Sequence, residues 1–229
     1  CLDLVLPAER SAQVHPHPRR GDVRAMGVEA DAAQELRRQD AADRSPAGVA
    51  EGLDCRMAAP GEIALETHTI SPDFPFPRVS EQTALALKGV RASAMRLPQV
   101  HDPVRQGLIT PLIEAYREKG VCAYVGDGAN RWPAAHVLDV AHLYRLAIEN
   151  AEPGARYHAV AEEGVALRDI AETIGRRLKL PVKSITSQEA QASFGWLATF
   201  MGFDMLASSE LTRKKLGWNP TGPGLIADL

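Results

Sequence analysis

His101 and Asp102 stand side by side just after the run VRASAMRLPQV, and together they suit proton exchange. An imidazole titrates near neutrality, and a carboxylate beside it can hold it in one orientation. Consecutive residues usually point apart, so the pair is a candidate acid and base rather than an assembled site. Other catalytic arrangements are missing from the sequence. It contains no Gly-x-Ser-x-Gly elbow, no His-Glu-x-x-His, no phosphate-binding GxxxxGK[ST] loop and no Cys-x-x-Cys pair. The three cysteines, Cys1, Cys55 and Cys122, are odd in number and far apart, which suits reduced thiols. His15 and His17 in HPHPRR are read as incidental, and no metal site is expected.

The elements that would position such residues become legible only partway along the chain. Residues 1–62 contain no Phe, Trp, Tyr, Ile, Lys or Asn, yet carry eight Arg. A segment of that composition has little with which to build a core. Two readings stay open for residues 1–58: an irregular, low-order extension, or the product of a frameshift in a GC-rich gene, since the missing residues share AT-rich codons. A first residue of Cys rather than Met adds the expectation of a fragment or processed product.

Beyond the break, helix and strand alternate. Ser80 is expected to cap EQTALALK with Gly89 at its stop, followed by the strand VRASAMRLP. Thr110 and Pro111 read as a cap and first helical residue for LIEAYREK, and VCAYV as a strand closed by the turn GDGAN. Asp139 reads as the cap of VAHLYRLAIENA. Then come the strand RYHAV, the amphipathic helix ALRDIAETIGRRL, the strand PVKSI, a helix opened by Ser187, and SSELTRKKLGW as the last helix. SFGWLATFMGF is too short to span a bilayer and reads as a core helix or lid. Strands separated by helices predict an α/β fold with parallel crossovers.

The 229 residues could fill one core, and a net charge of -3 gives no basic footprint for nucleic acid and no polybasic membrane patch. No apolar run nears the roughly 20 residues of a membrane helix, and no signal sequence opens the chain. A cytoplasmic protein with a small-molecule partner is expected.

In order, the segments VSEQTALAL, VRASAMRLPQVHDP, YVGDGANRWPAAHVLDVAHLYRLAIEN, YHAVAEEGVALRDIAETIG and LGWNP resemble the C-terminal portion of an extended or atypical short-chain dehydrogenase/reductase. That is the NAD(P)-dependent epimerase/dehydratase superfamily, and the resemblance covers about residues 59–229. It implies a Rossmann-like parallel sheet, incomplete for want of the first βαβ units, with a smaller C-terminal substrate-side subdomain. It implies NAD or NADP as cofactor, with Pro98, Gln99 and Val100 against the nicotinamide ring and amide, beyond the carboxyl end of a parallel strand. His101 and Asp102 would then stand at the nicotinamide end. Arg131 would hold a polar or anionic substrate group with its forked donors, and Trp132 would form an apolar wall. His136 would anchor a strand-to-helix junction, Trp218 would pack, and Pro220 would stop the last helix. His142 and Tyr144 read as packing or solvated residues.

Two signatures of that family are missing. No glycine-rich turn precedes Ala59 to cradle a pyrophosphate. The Tyr and Lys that exchange a proton with substrate in the family correspond to Pro77 and Glu81, neither of which can do that chemistry. The resemblance therefore implies an oxidoreductase acting on a small carbonyl or alcohol, with catalytic residues unknown. A non-catalytic NAD(P)-binding regulator and an inactive fragment are the alternatives. An incomplete sheet would expose a strand edge, which predicts poor solubility or pairing with another chain, a homodimer included.

Overall fold

The structure, a computed structural model, describes residues 3–8, 61–69, 79–88, 91–150 and 152–229. The possible frameshift boundary near residue 58, Pro77 and the Gly89 stop lie outside the described residues. Eight strands are described: β1 Asp3–Ala8, β2 Arg91–Arg96, β3 Gln99–His101, β4 Cys122–Val125, β5 Arg131–His136, β6 Arg156–His158, β7 Glu162–Ala166 and β8 Val182–Ile185. The described helices are α1 Val79–Leu85, α2 Ile109–Lys119, α3 Val137–Asn150, α4 Leu167–Leu178, α5 Ser187–Phe194, α6 Trp196–Met201, α7 Glu210–Leu216 and α8 Leu225–Asp228.

The fold is α/β and Rossmann-like, as expected. Parallel pairs β2 with β6, β3 with β5 and β4 with β8 are each linked through intervening helix. Three small sheets result, ordered β1-β2-β6, β3-β5-β7 and β4-β8. Within the stretch expected to be irregular, Asp3–Ala8 instead form a strand antiparallel to β2. β2 is thus the central strand of its sheet, paired with β1 on one side and β6 on the other. Leu97 and Pro98 interrupt the extended chain after β2, and β3 resumes in a different sheet.

Several expected boundaries shift for local reasons. Helix α1 ends at Leu85, four residues before Gly89, because its last turn tightens, with Leu87 N donating to Ala84 O at 3.3 Å. Thr110 does not cap α2. The helix starts at Ile109, while the Thr110 hydroxyl accepts from Gln106 N at 2.8 Å. Pro111 still lies in the first turn, where a missing N–H costs nothing. Strand β7 was not expected, since Glu162, Glu163 and Gly164 have poor strand propensity. It pairs antiparallel with β5, with an irregularity between Trp132 and Ala134. Gly164 is needed there: a Cβ would lie 2.5 Å from Leu206 Cδ2 and 2.8 Å from Arg131 Cβ.

The larger core gathers Leu112 and Tyr116 of α2, Cys122 of β4, Trp132 of β5, Ile170 and Ile174 of α4, Met201 of α6 and Leu225 of α8. A second core packs Met95, Leu143, Tyr157 and Trp218. The SFGWLATFMGF stretch contributes Leu197, Ala198 and Met201 to the larger core, so it is a core element. Among the described residues no helix is long and apolar enough to cross a membrane.

Candidate functional site

The carboxyl ends of β3 and β5 bring together the groups best suited to chemistry. His101 ends β3 and His136 ends β5, and the two are register partners in the parallel ladder. Their rings meet edge to face with centroids 5.7 Å apart. Helix α8 supplies Asp228, whose Oδ2 accepts from His101 Nδ1 at 2.7 Å and lies 3.9 Å from His136 Nε2. A carboxylate can only accept, so the His101 proton sits on Nδ1 and its lone pair on Nε2. His136 has the opposite tautomer, because its Nδ1 accepts from Leu138 N at 3.3 Å across the junction from β5 to α3.

Asp102 is not the partner of His101. Its Oδ1 accepts from Val104 N at 2.7 Å and Arg105 N at 2.8 Å, closing an Asx turn, and these bonds hold its carboxyl below the ordinary value. The turn carries the chain to Gln106, whose side-chain amide donates to Asp102 O at 2.9 Å. The sequence pairing of His101 with Asp102 is thereby corrected to His101 with Asp228, 127 residues away.

The C-terminal residues are fastened over these strand ends by acidic side chains. Asp139 accepts from Thr221 N at 3.0 Å and Gly222 N at 2.8 Å, and its carbonyl accepts from Trp218 Nε1 at 3.0 Å. Asp139 is therefore a tether for the C-terminal loop and not the cap of α3, which begins at Val137. Glu162 accepts from Leu225 N at 2.7 Å and sets the start of α8.

Pro98 and Gln99 are buried at the crossing from β2 to β3, and Val100 is half-buried against the second core. The Gln99 carboxamide oxygen accepts from Leu108 N at 2.9 Å, so this side chain positions the start of α2. Arg131 is bound to Asp204, with Nη2 to Oδ2 at 2.9 Å and Nε to Oδ1 at 3.2 Å, which raises its already high pKa. Its side chain is 39% exposed. Trp132 is fully buried in the larger core, with no hydrogen-bond partner for its indole N–H among the described residues. It supports β5 from behind. His142 is exposed and Tyr144 half-buried beside the second core.

Glu81 belongs to a different, structural cluster. Arg96 donates to it from Nε and Nη2, both at 2.9 Å, and Arg156 Nε also donates to it. Burial opposes the Glu81 charge, but the bonds from Arg96 and Arg156 prevail and hold the carboxyl below its ordinary value. Arg96 further donates to His68 O at 2.9 Å and to His158 Nε2 at 3.2 Å, and His158 Nδ1 donates to Ser208 O at 2.8 Å.

The crossing at Pro98 to Val100 lies at the carboxyl end of parallel β2. Among the described residues no glycine-rich turn leads from a strand into a helix to receive the pyrophosphate. Nor, among them, does any group of three or more His, Cys, Asp or Glu side chains form a metal cage.

Comparison with known proteins extends these observations. No family model matches the chain. It is 44% identical over 177 residues to an uncharacterised protein of Schizosaccharomyces pombe, a match covering 76% of this chain and 60% of the relative. It is 41% identical over 174 residues to an uncharacterised protein of Saccharomyces cerevisiae, covering 74% and 58%. The chain thus spans about three-fifths of the length of the curated relatives it matches. Among solved structures it is similar to the dTDP-glucose 4,6-dehydratase DesIV of Streptomyces venezuelae, crystallised with NAD. That likeness has a TM-score of 0.55 at 17% identity and covers 71% of this chain and 51% of the other. The dTDP-glucose 4,6-dehydratase of Bacillus anthracis, in complex with NAD, gives a TM-score of 0.51 at 17% identity, covering 69% and 50%. At these identities the likeness establishes the fold: the chain shares the Rossmann-like α/β architecture of these dehydratases.

Proposed function

We propose that this chain is the substrate-side portion of an NAD(P)-dependent oxidoreductase of the epimerase/dehydratase type, acting on a small carbonyl or alcohol. The observation that carries this reading is the convergence of His101 and His136 on Asp228 at the carboxyl ends of β3 and β5. Ligands of open α/β sheets bind beyond the carboxyl ends of parallel strands, and proton exchange is the chemistry that accompanies hydride transfer. The NAD held by the structurally similar dehydratases supports the choice of cofactor. In this reading Pro98, Gln99 and Val100 border the nicotinamide. Arg131, whose side chain is partly exposed beside Asp204, would hold a polar substrate group, and Trp132 backs the wall.

A second reading, a non-catalytic NAD(P)-binding regulator, is favoured by Glu81. At the position that the resemblance matches to the family's Lys, its carboxylate is locked in a buried ion pair.

Titrating the chain into NADH, NADPH and reduced nicotinamide mononucleotide while recording nicotinamide fluorescence tests both. Saturable binding of the mononucleotide, with consumption of the reduced ring when small aldehydes and ketones are added, is the outcome expected of the enzyme. Binding with no consumption selects the regulator. No fluorescence change with any of the three rejects both.

A further inference from the structure

Buried His101 carries a nitrogen that finds no partner among the described residues. Its Nδ1–H is taken by Asp228 at 2.7 Å, while Nε2, a lone-pair acceptor in this tautomer, is buried without a hydrogen-bond partner among the described residues. Buried polar atoms almost always find a partner, so an orphan acceptor on an oriented imidazole points to a ligand group. We propose that His101 is the proton-exchanging residue of a site for a small hydroxyl- or carbonyl-bearing molecule, and that Asp228 is its positioning residue.

Three observations support the assignment. The orphan nitrogen belongs to the residue that ends β3, on the side of the fold where parallel strands present ligands. The carboxylate next to it in sequence, Asp102, is engaged with Val104 N and Arg105 N. The other imidazole in contact, His136, has its Nδ1 bonded to Leu138 N and turns Nε2 towards the same Asp228 oxygen. One carboxylate therefore faces two rings, and His101 is the ring whose free nitrogen can accept a proton.

The step is a simple transfer. A substrate O–H bond breaks, an Nε2–H bond forms, and the electron pair stays on the substrate oxygen. The imidazolium lies against the Asp228 carboxylate, which stabilises it. In reverse, the proton returns to an oxygen that has gained negative charge. This inference deepens the preceding reading by naming the proton carrier, and its test requires no nicotinamide.

The test is long-range proton–nitrogen correlation NMR on the whole chain labelled with nitrogen-15 histidine, using glycerol and 2-propanol as probes. The expected result is an Nδ1–H tautomer for His101 with an unprotonated Nε2, whose resonance shifts saturably with at least one alcohol while those of His142 and His158 stay still. Asp228→Ala should move His101 towards the Nε2–H tautomer and weaken the alcohol response at least tenfold; Asp228→Glu should restore part of it. A His101 found as Nε2–H in the wild type, or an Nε2 resonance indifferent to both alcohols, overturns the proposal. Should Asp228→Ala fail to fold, the wild-type tautomer and titration decide alone. Failure to bind nicotinamide would reject the cofactor reading and leave this result standing.

Discussion

Glu81 and Arg96 form a bidentate ion pair inside the protein, with both nitrogen–oxygen distances at 2.9 Å and side chains only 3% and 2% exposed. The pair joins α1 to the last residue of β2, immediately before the Leu97-Pro98 crossing. Glu81 thus serves as the anchor of the strand that leads to the candidate site.

Removing one partner of such a pair leaves a buried charge uncompensated. Glu81→Gln is expected to destabilise the fold by about 3–5 kcal/mol, read from the shift in urea midpoint at constant slope. Glu81→Lys should cost more, because it sets a third cation beside Arg96 and Arg156, and should not confer turnover.

Stability should also depend on pH through His158. Burial lowers its pKa; the Glu66 charge opposes this and the Arg96 charge adds to it, leaving the imidazole at about 4 against an ordinary 6.5. Between those values the unfolded chain takes up a proton that the folded chain refuses. Stability is therefore full above about pH 6.5 and falls as pH drops towards 4, by at most about 3 kcal/mol. Melting curves from pH 7.5 to 4.5 should show this slope, and His158→Gln should flatten it even if the variant is less stable throughout.

The GDGAN turn gives a paired test. Gly126 and Gly128 both have left-handed φ, 61° and 67°. A Cβ on Gly126 would meet nothing within 4 Å, whereas one on Gly128 would lie 2.7 Å from Tyr124 Cδ2 and 2.8 Å from Arg168 Cβ. Gly126→Ala should lose roughly 1 kcal/mol from backbone strain alone. Gly128→Ala should lose about 1–3 kcal/mol more from overlap, measured by the same denaturation.

Cys122 should be a quiet thiol. Burial pushes its pKa up to about 11, so little thiolate exists at neutral pH. With Cys1 and Cys55 replaced by Ser, a disulfide reagent at pH 8 should label the chain only as fast as it unfolds. Rapid labelling of folded protein would contradict the burial of Cys122 behind α4.

What the sequence disclosed follows from the range of the forces involved. VCAYV, RYHAV and ALRDIAETIGRRL declare themselves through local apolar spacing and appear as β4, β6 and α4. Strand β7 was hidden because its place depends on pairing with β5, not on its own residues. His101 stood out by its chemistry, but its true partner did not. Asp228 sits in GLIADL, and Asp139 and Glu162, by tying down residues 221–225, together with Leu225 in the larger core, bring it to the imidazole. Arg131 and Trp132 were legible as notable residues, while Asp204 across from Arg131 was not. Long-range polar pairing leaves no periodic trace in sequence.

In the proposed function a nicotinamide and its substrate meet at the carboxyl ends of β2, β3 and β5. Backbone amide NMR of the whole chain during titration with reduced nicotinamide mononucleotide tests it most directly. Shifts confined to Gln99, Val100, His101 and the start of α3 from Val137 are the predicted result. Shifts concentrated elsewhere, or none at concentrations that saturate known nicotinamide sites, would contradict it.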